Sequence, residues 1–184
     1  MIPAFEIGIR NAWLFMCVFP LQWLIVSLIN PAASQRTRSP RKAKPRRTAS
    51  AMTVLWVAMS IYSIFLPLQI GTAWFYTGLG FFIAGLVVVI TATRDFVTAP
   101  ADRPITGGVF RYSRHPMYLS MFLVYIGVSI AAASWLFALL TIISIPVQRR
   151  QAISEEESCQ ERYGDAYRDY MRRTPRWLGT TKSG

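Results

Sequence analysis

From Met117 to Val147 the chain runs 31 residues without a charged side chain. About 20 apolar residues are enough for a helix to cross roughly 30 Å of hydrocarbon. The run is therefore too long for one span, and the small residues Ala131, Ala132, Ala133 and Ser134 at its centre mark the tip of a tight helical hairpin. Each arm holds about 15 residues, or roughly 23 Å of helix. A bilayer accommodates that length by local thinning or by burial against other helices. Three more charge-poor runs precede it, over 11–30, 53–70 and 74–93. The expected fold is all-α and integral to the membrane: a single membrane domain over 1–184 with about five transmembrane helices. The spans are expected near 11–30, 53–70, 74–93, 117–131 and 134–148, the last two forming the C-terminal hairpin, followed by a cytosolic amphipathic helix. Pro20, Pro67 and Pro146 fall inside these spans, which a bundle tolerates when neighbouring helices satisfy the freed backbone groups.

Charge placement sets the orientation. All but Arg10 of the 20 Lys and Arg residues lie in three segments: the basic loop 31–52, the connection from Arg94 to Arg114, and the tail from Arg149 onward. A five-span path puts these segments on one face, and basic segments remain cytosolic. The chain is thus expected to be multi-pass, with its N-terminus outside and its C-terminus inside. A net charge of +11 would point to nucleic acid in a soluble protein, but topology accounts for it here, so no nucleic-acid partner is expected. The basic run 34–50 suits anionic lipid headgroups instead. A cleaved signal peptide would send that run across the membrane, against the charge rule, so the first span is read as retained. Cys17 lies within a span and Cys159 on the cytosolic side, so they should not pair. With one histidine and two separated cysteines, no metal cluster is expected.

Two cytosolic segments carry chemistry. In 106–118, Pro116 suits a first helical position and holds His115 extended. The helix start, beside Arg114 and His115, makes a site for a carboxylate or phosphate. The plainer reading is a charge-rule Arg, a helix-starting Pro and an interfacial Tyr118. In 150–177, a helical repeat of about 100° per residue puts Glu156, Cys159, Gln160, Tyr163, Tyr167 and Tyr170 on one stripe. Glu155 and Glu157 then flank it and Glu161 faces solvent. A carboxylate turned toward protein at a membrane surface needs a cation or a ligand. The plainer reading is an amphipathic helix on the bilayer with glutamates paired to Arg149, Arg150 or Arg162. The hairpin returns Glu156 to the membrane face of His115, 41 positions earlier. One site then offers cations to a carboxylate and carboxylates to an ammonium, the polarity of a zwitterionic amino acid group.

Arg114-His115-Pro116-x-Tyr118 before a hairpin, with Glu155-Glu156 and the Tyr163-Gly164-x-x-Tyr167-x-x-Tyr170 run after it, resembles the membrane methyltransferases related to isoprenylcysteine carboxyl methyltransferase and phosphatidylethanolamine N-methyltransferase. The resemblance covers Gly108 to about Trp177. It implies S-adenosylmethionine as cofactor, bound at the cytosolic face by Gly108, Arg114, His115, Pro116, Tyr118, Glu155 and Glu156, with Glu156 toward the amino group. It implies transfer of a methyl group to a lipophilic acceptor: a phospholipid amine, a prenyl-type carboxylate or a thiol. Alignment and exclusion of water can supply much of such a reaction's acceleration. A carboxylate or thiolate needs no base, whereas an amine must also lose a proton, for which Glu155 or Tyr118 is a candidate; no catalytic residue is assigned. Two other classes stay open: a nicotinamide-dependent membrane reductase with a similar C-terminal region, and a non-enzymatic membrane protein that holds anionic lipid with its basic loop.

Overall fold

A computed structural model of the chain describes residues 6–29, 47–100 and 102–179. Among these the secondary structure is helical: α1 (Trp13–Met16), α2 (Val18–Ile29), α3 (Arg47–Ile64), α4 (Ala73–Thr98), a 3-10 turn (Gly108–Arg111), α5 (Pro116–Ala131), α6 (Trp135–Tyr163) and α7 (Asp165–Arg173). One isolated bridge joins Asn11 to Pro67.

The hairpin of α5 and α6 turns where the small residues stand. Ala133 takes a left-handed conformation, φ 49°, and Ser134 caps α6 by accepting from the Phe137 N–H at 3.2 Å, satisfying one of the donors a helix start leaves orphaned. Helix α4 lies close against α5. A Cβ at Gly78 would run into the Ala131 backbone nitrogen and the Gly127 carbonyl, and one at Gly127 would meet the Gly78 carbonyl at 2.8 Å. Small residues are what allow two backbones to approach in this way.

The bundle carries many large apolar side chains on its outside and several polar ones in its interior. The buried stripe of α6 is Phe137, Thr141, Ser144, Gln148, Ala152 and Glu156, whereas its Leu139, Ile142, Ile143 and Ile145 are exposed. On α4, Ile83, Val87 and Ile90 face outward while Gly78, Gly85, Val89 and Ala92 face inward. An outer surface of Leu, Ile and Val over a Ser/Thr/Gln-containing interior suits hydrocarbon surroundings and disfavours water. Helix Ala73–Thr98 is by itself long and apolar enough to cross a membrane; Trp13–Ile29, Ser50–Ile64 and Pro116–Ala131 are apolar but shorter.

Backbone hydrogen bonds sort the connections between two ends. At one, Leu68 N–H donates to the Arg10 carbonyl at 3.1 Å and Gln69 N–H to the Ala131 carbonyl at 2.9 Å, joining the N-terminal segment, the α3–α4 connection and the hairpin tip. At the other, Arg114 N–H donates to the Pro175 carbonyl at 3.1 Å and Gly179 N–H to the Tyr112 carbonyl at 3.3 Å.

Several boundaries differ from the sequence expectation. The run 53–70 stops being helical at Ile64, where the Asn11 side chain donates to its carbonyl at 2.7 Å, and Pro67 lies in the following connection. Pro20 falls in the first turn of α2, whose N–H groups have no intrahelical partner to lose. The largest difference is α6, which passes Val147 and continues to Tyr163 over 29 residues, about 44 Å. Beyond Pro146 its sequence offers no breaker until Gly164, and Gln, Arg, Ala and Glu sustain the helix. Gly164, at φ 54°, ends it. The separate amphipathic helix is therefore only Asp165–Arg173, and the stripe drawn from Glu156 to Tyr170 is broken at Gly164. Of the basic loop expected over 31–52, residues 31–46 lie outside the described residues and 47–52 form the first turns of α3.

Candidate functional site

The site lies at the end of the hairpin away from its tip. Ser113 Oγ accepts from the His115 N–H at 3.1 Å, directly before Pro116 opens α5; His115 sits at φ −129°, ψ 58°, and not in the extended conformation expected of a residue before proline. The His115 side chain is thereby turned toward α6. His115 Nε2 lies 3.1 Å from Glu156 Oε1. A carboxylate oxygen only accepts, so Nε2 carries the proton in this bond.

Glu156 is 2% exposed and has three cationic or donor partners. Arg176 Nε donates to Oε1 at 2.9 Å and Arg176 Nη2 to Oε2 at 2.8 Å, and Arg114 Nη1 lies 3.3 Å from Oε1. Burial alone would raise the pKa of this carboxyl. The hydrogen bonds from His115 and Arg176, with the charge of Arg114, overcome that and hold it at about 2. Glu156 is thus an ionised anchor whose oxygens are both already engaged.

Glu155 is different. Its side chain is 45% exposed. Oε1 accepts from Tyr118 Oη at 2.6 Å and from Gln151 Nε2 at 3.1 Å, and Oε2 stands 3.8 Å from His115 Nδ1. Glu157 and Glu161 are exposed, as the helical phase requires.

The C-terminal tail closes this end. Besides Arg176 on Glu156, the Ser113 hydroxyl donates to the Arg176 carbonyl at 3.3 Å, and the Trp177 ring lies 6.2 Å from that of His115 and 6.5 Å from that of Phe122. On α7, Tyr170 Oη donates to the Phe110 carbonyl at 2.7 Å. Cys159 is free, and burial pushes its thiol up to about 11, so it is protonated at neutral pH. No group of three metal-ligating side chains occurs among the described residues.

A family model of phospholipid methyltransferases matches residues 68–166, more than half of the 184 residues. The chain belongs to the phospholipid methyltransferase family. No curated protein and no solved structure matches it significantly.

In this phospholipid methyltransferase family member, the structure brings together Arg114, His115, Tyr118, Glu155 and Glu156 from the residues singled out in the sequence, and Pro116 starts the helix that carries Tyr118. Gly108 has another partner. It sits at φ 57°, a Cβ there would collide with the Asp95 carboxylate, and Asp95 Oδ2 accepts from the neighbouring Val109 N–H at 2.9 Å. Gly108 therefore lets the segment dock on the end of α4. Sequence reasoning missed Asp95, Gln151, Arg176 and Trp177. A lone Arg beside Trp in a basic tail carries no periodic signal, and both lie beyond the matched residues. The one available hint was electrostatic: a buried Glu156 required more cation than Arg114 alone.

Proposed function

We propose that this chain is an integral membrane S-adenosylmethionine-dependent methyltransferase acting on a lipophilic acceptor, with its cofactor site formed by Arg114, His115, Tyr118, Glu155 and Glu156. The supporting observation is that the buried Glu156 meets His115 across 41 positions, 3.1 Å apart, so two distant motifs form one cluster at one end of an apolar-surfaced bundle.

The residues present fit the cofactor's amino acid end. Arg114 Nε is buried and has no hydrogen-bond partner among the described residues, a donor suited to a carboxylate. Glu155 has an oxygen that reaches only His115 Nδ1 at 3.8 Å, an acceptor suited to an ammonium. Glu156 is buried and both of its oxygens already accept from Arg176, so in this reading it orients Arg114 and His115 rather than meeting the amino group itself. When bound, the cofactor supplies an electrophilic methyl on a sulfonium. The chain's part is then to align the acceptor, exclude water through Trp177 and the tail, and balance charge. In the same reading Gly108 and Pro116 act through the backbone, the one docking the 3-10 turn and the other starting α5. The acceptor is a phospholipid amine, a prenyl-type carboxylate or a thiol, reached from the bilayer. The N-terminus lies outside and the site in the cytosol.

Thermal melting of the detergent-solubilised protein tests the reading. S-adenosylmethionine should raise the melting temperature and a nicotinamide nucleotide should not. A rise with the nucleotide alone would favour a reductase, and a rise with neither would favour a lipid-holding protein.

A further inference from the structure

Helix α6 carries two glutamines just inside the glutamates, and the hydrogen bonds around them fix which way each amide points. Gln148 is 2% exposed, with Nε2 3.2 Å from Ser144 Oγ. Ser144 spends its one hydroxyl proton on the Thr141 carbonyl at 2.6 Å, so toward Gln148 it can only accept. The atom facing it must be the amide nitrogen. Gln151 is fixed in the same way, because its Nε2 donates to Glu155 Oε1 at 3.1 Å and a carboxylate only accepts. Neither amide can be flipped without losing its partner. Both are left with the carbonyl Oε1 buried and, among the described residues, without a donor.

A buried carbonyl without a donor is disfavoured, and such groups in folded proteins call for an explanation. Positions 148, 151 and 155 lie on one face of the helix and span about 10 Å. Two side chains with a donorless carbonyl oxygen and one half-exposed carboxylate therefore issue from one face of α6.

We propose that Gln148 and Gln151, with Glu155, form a hydrogen-bond-accepting wall that receives an ammonium or amine N–H group. The proposal rests on the methyltransferase reading and narrows it. A carboxylate or thiolate acceptor has no N–H to offer and would face oxygen. The same chemistry has two sources, the amino group of S-adenosylmethionine and a primary-amine phospholipid headgroup.

Three variants and two readouts separate these, each variant first shown to keep the wild-type melting temperature within a few degrees. Gln148→Met removes the carbonyl. Gln148→Glu keeps an acceptor oxygen and, in its protonated form, an O–H to donate to Ser144 Oγ. Ser144→Ala removes the amide's structural partner and leaves the carbonyl. The readouts are the calorimetric Kd for S-adenosylmethionine and the KM for methyl transfer to a primary-amine phospholipid in mixed micelles at saturating cofactor. Loss of a buried hydrogen bond to a charged donor predicts about a 10- to 100-fold weakening for Gln148→Met, with Gln148→Glu and Ser144→Ala within a few-fold of wild type. A weakened Kd identifies the cofactor's amino group as the occupant; a raised KM with unchanged Kd identifies the lipid amine. If neither readout moves in Gln148→Met, or if Ser144→Ala falls as far, the wall is wrong and Gln148 is only a structural amide. Wild-type protein that neither binds S-adenosylmethionine nor transfers methyl would overturn the methyltransferase reading and the wall with it.

Discussion

Arg176 holds Glu156 by both oxygens, at 2.9 and 2.8 Å, and so ties the C-terminal tail to the helix that faces His115. The pairing is a two-pronged match of guanidinium to carboxylate, a geometry an ammonium cannot reproduce. Arg176→Ala should weaken S-adenosylmethionine binding about tenfold or more, because Arg114 and His115 lose a well-fixed counter-charge. Arg176→Lys should recover little of this despite keeping the charge. Calorimetry on the three proteins checks both statements, and full recovery by Lys would show that charge alone suffices.

The three consecutive glutamates should separate by environment. Glu156→Gln leaves Arg114 and Arg176 facing a neutral amide in a buried site, which costs about 3–5 kcal/mol and should show as a large fall in melting temperature together with loss of binding. Glu155→Gln should leave the fold intact and weaken the cofactor by roughly 5- to 10-fold, the size expected for a half-exposed ionic contact. Glu157→Gln, at an exposed position, should stay within about twofold. Equal damage from Glu157→Gln and Glu155→Gln would mean that α6 is rotated from the orientation described.

Acid should act through Glu156. Its folded-state pKa lies near 2 against an ordinary 4.5, so as pH falls the unfolded chain takes up the proton first. The stabilisation is complete above about pH 4.5 and is lost between there and about pH 2. Melting temperatures of wild type and Glu156→Gln, measured across that window, should converge toward the acid end. A constant gap would show that the Glu156 charge does not stabilise the fold.

Gly108→Ala should destabilise the end of α4 rather than the ligand site directly. The residue is left-handed, and the new Cβ would displace the Asp95 carboxylate from the Val109 N–H. A melting temperature lowered by several degrees is expected, about 1–3 kcal/mol from strain and the lost hydrogen bond. Asp95→Ala should reproduce part of it.

The hairpin and the His115–Glu156 meeting were legible in the sequence because each rests on a local signal. A charge-free run of that length must turn, Pro116 must start a helix, and a 3.6-residue period puts Glu156 inward and Glu157 outward. What was not legible depends on tertiary context. Nothing local stops α6 at the membrane surface, so its continuation to Tyr163 follows from the lack of a breaker before Gly164. The end of α3 at Ile64 depends on Asn11, 53 positions away. Arg176, Asp95 and the locked amides of Gln148 and Gln151 acquire meaning only from atoms brought beside them by folding. The same holds for Glu156, whose helical phase could be read but whose two-pronged pairing with Arg176 could not.

The orientation across the membrane proposed from charge placement is testable without ligand. Thiols introduced at Ser39 and Ser183 should be labelled only from the cytosolic side and one at Thr72 only from outside. The reverse pattern would place the site on the wrong face.

If the cluster around Glu156 and Glu155 serves methyl transfer to a lipid, a labelled methyl group should pass from the cofactor to that lipid. The most direct measurement is incubation of purified protein with S-adenosylmethionine carrying an isotope-labelled methyl group and a membrane lipid extract, followed by mass spectrometry of the lipids. Wild-type protein should place one labelled methyl on a lipid species, and Glu155→Gln should do so several-fold more slowly while remaining folded. Unlabelled lipids after incubation with folded wild-type protein, or equal labelling by Glu155→Gln, would contradict the account.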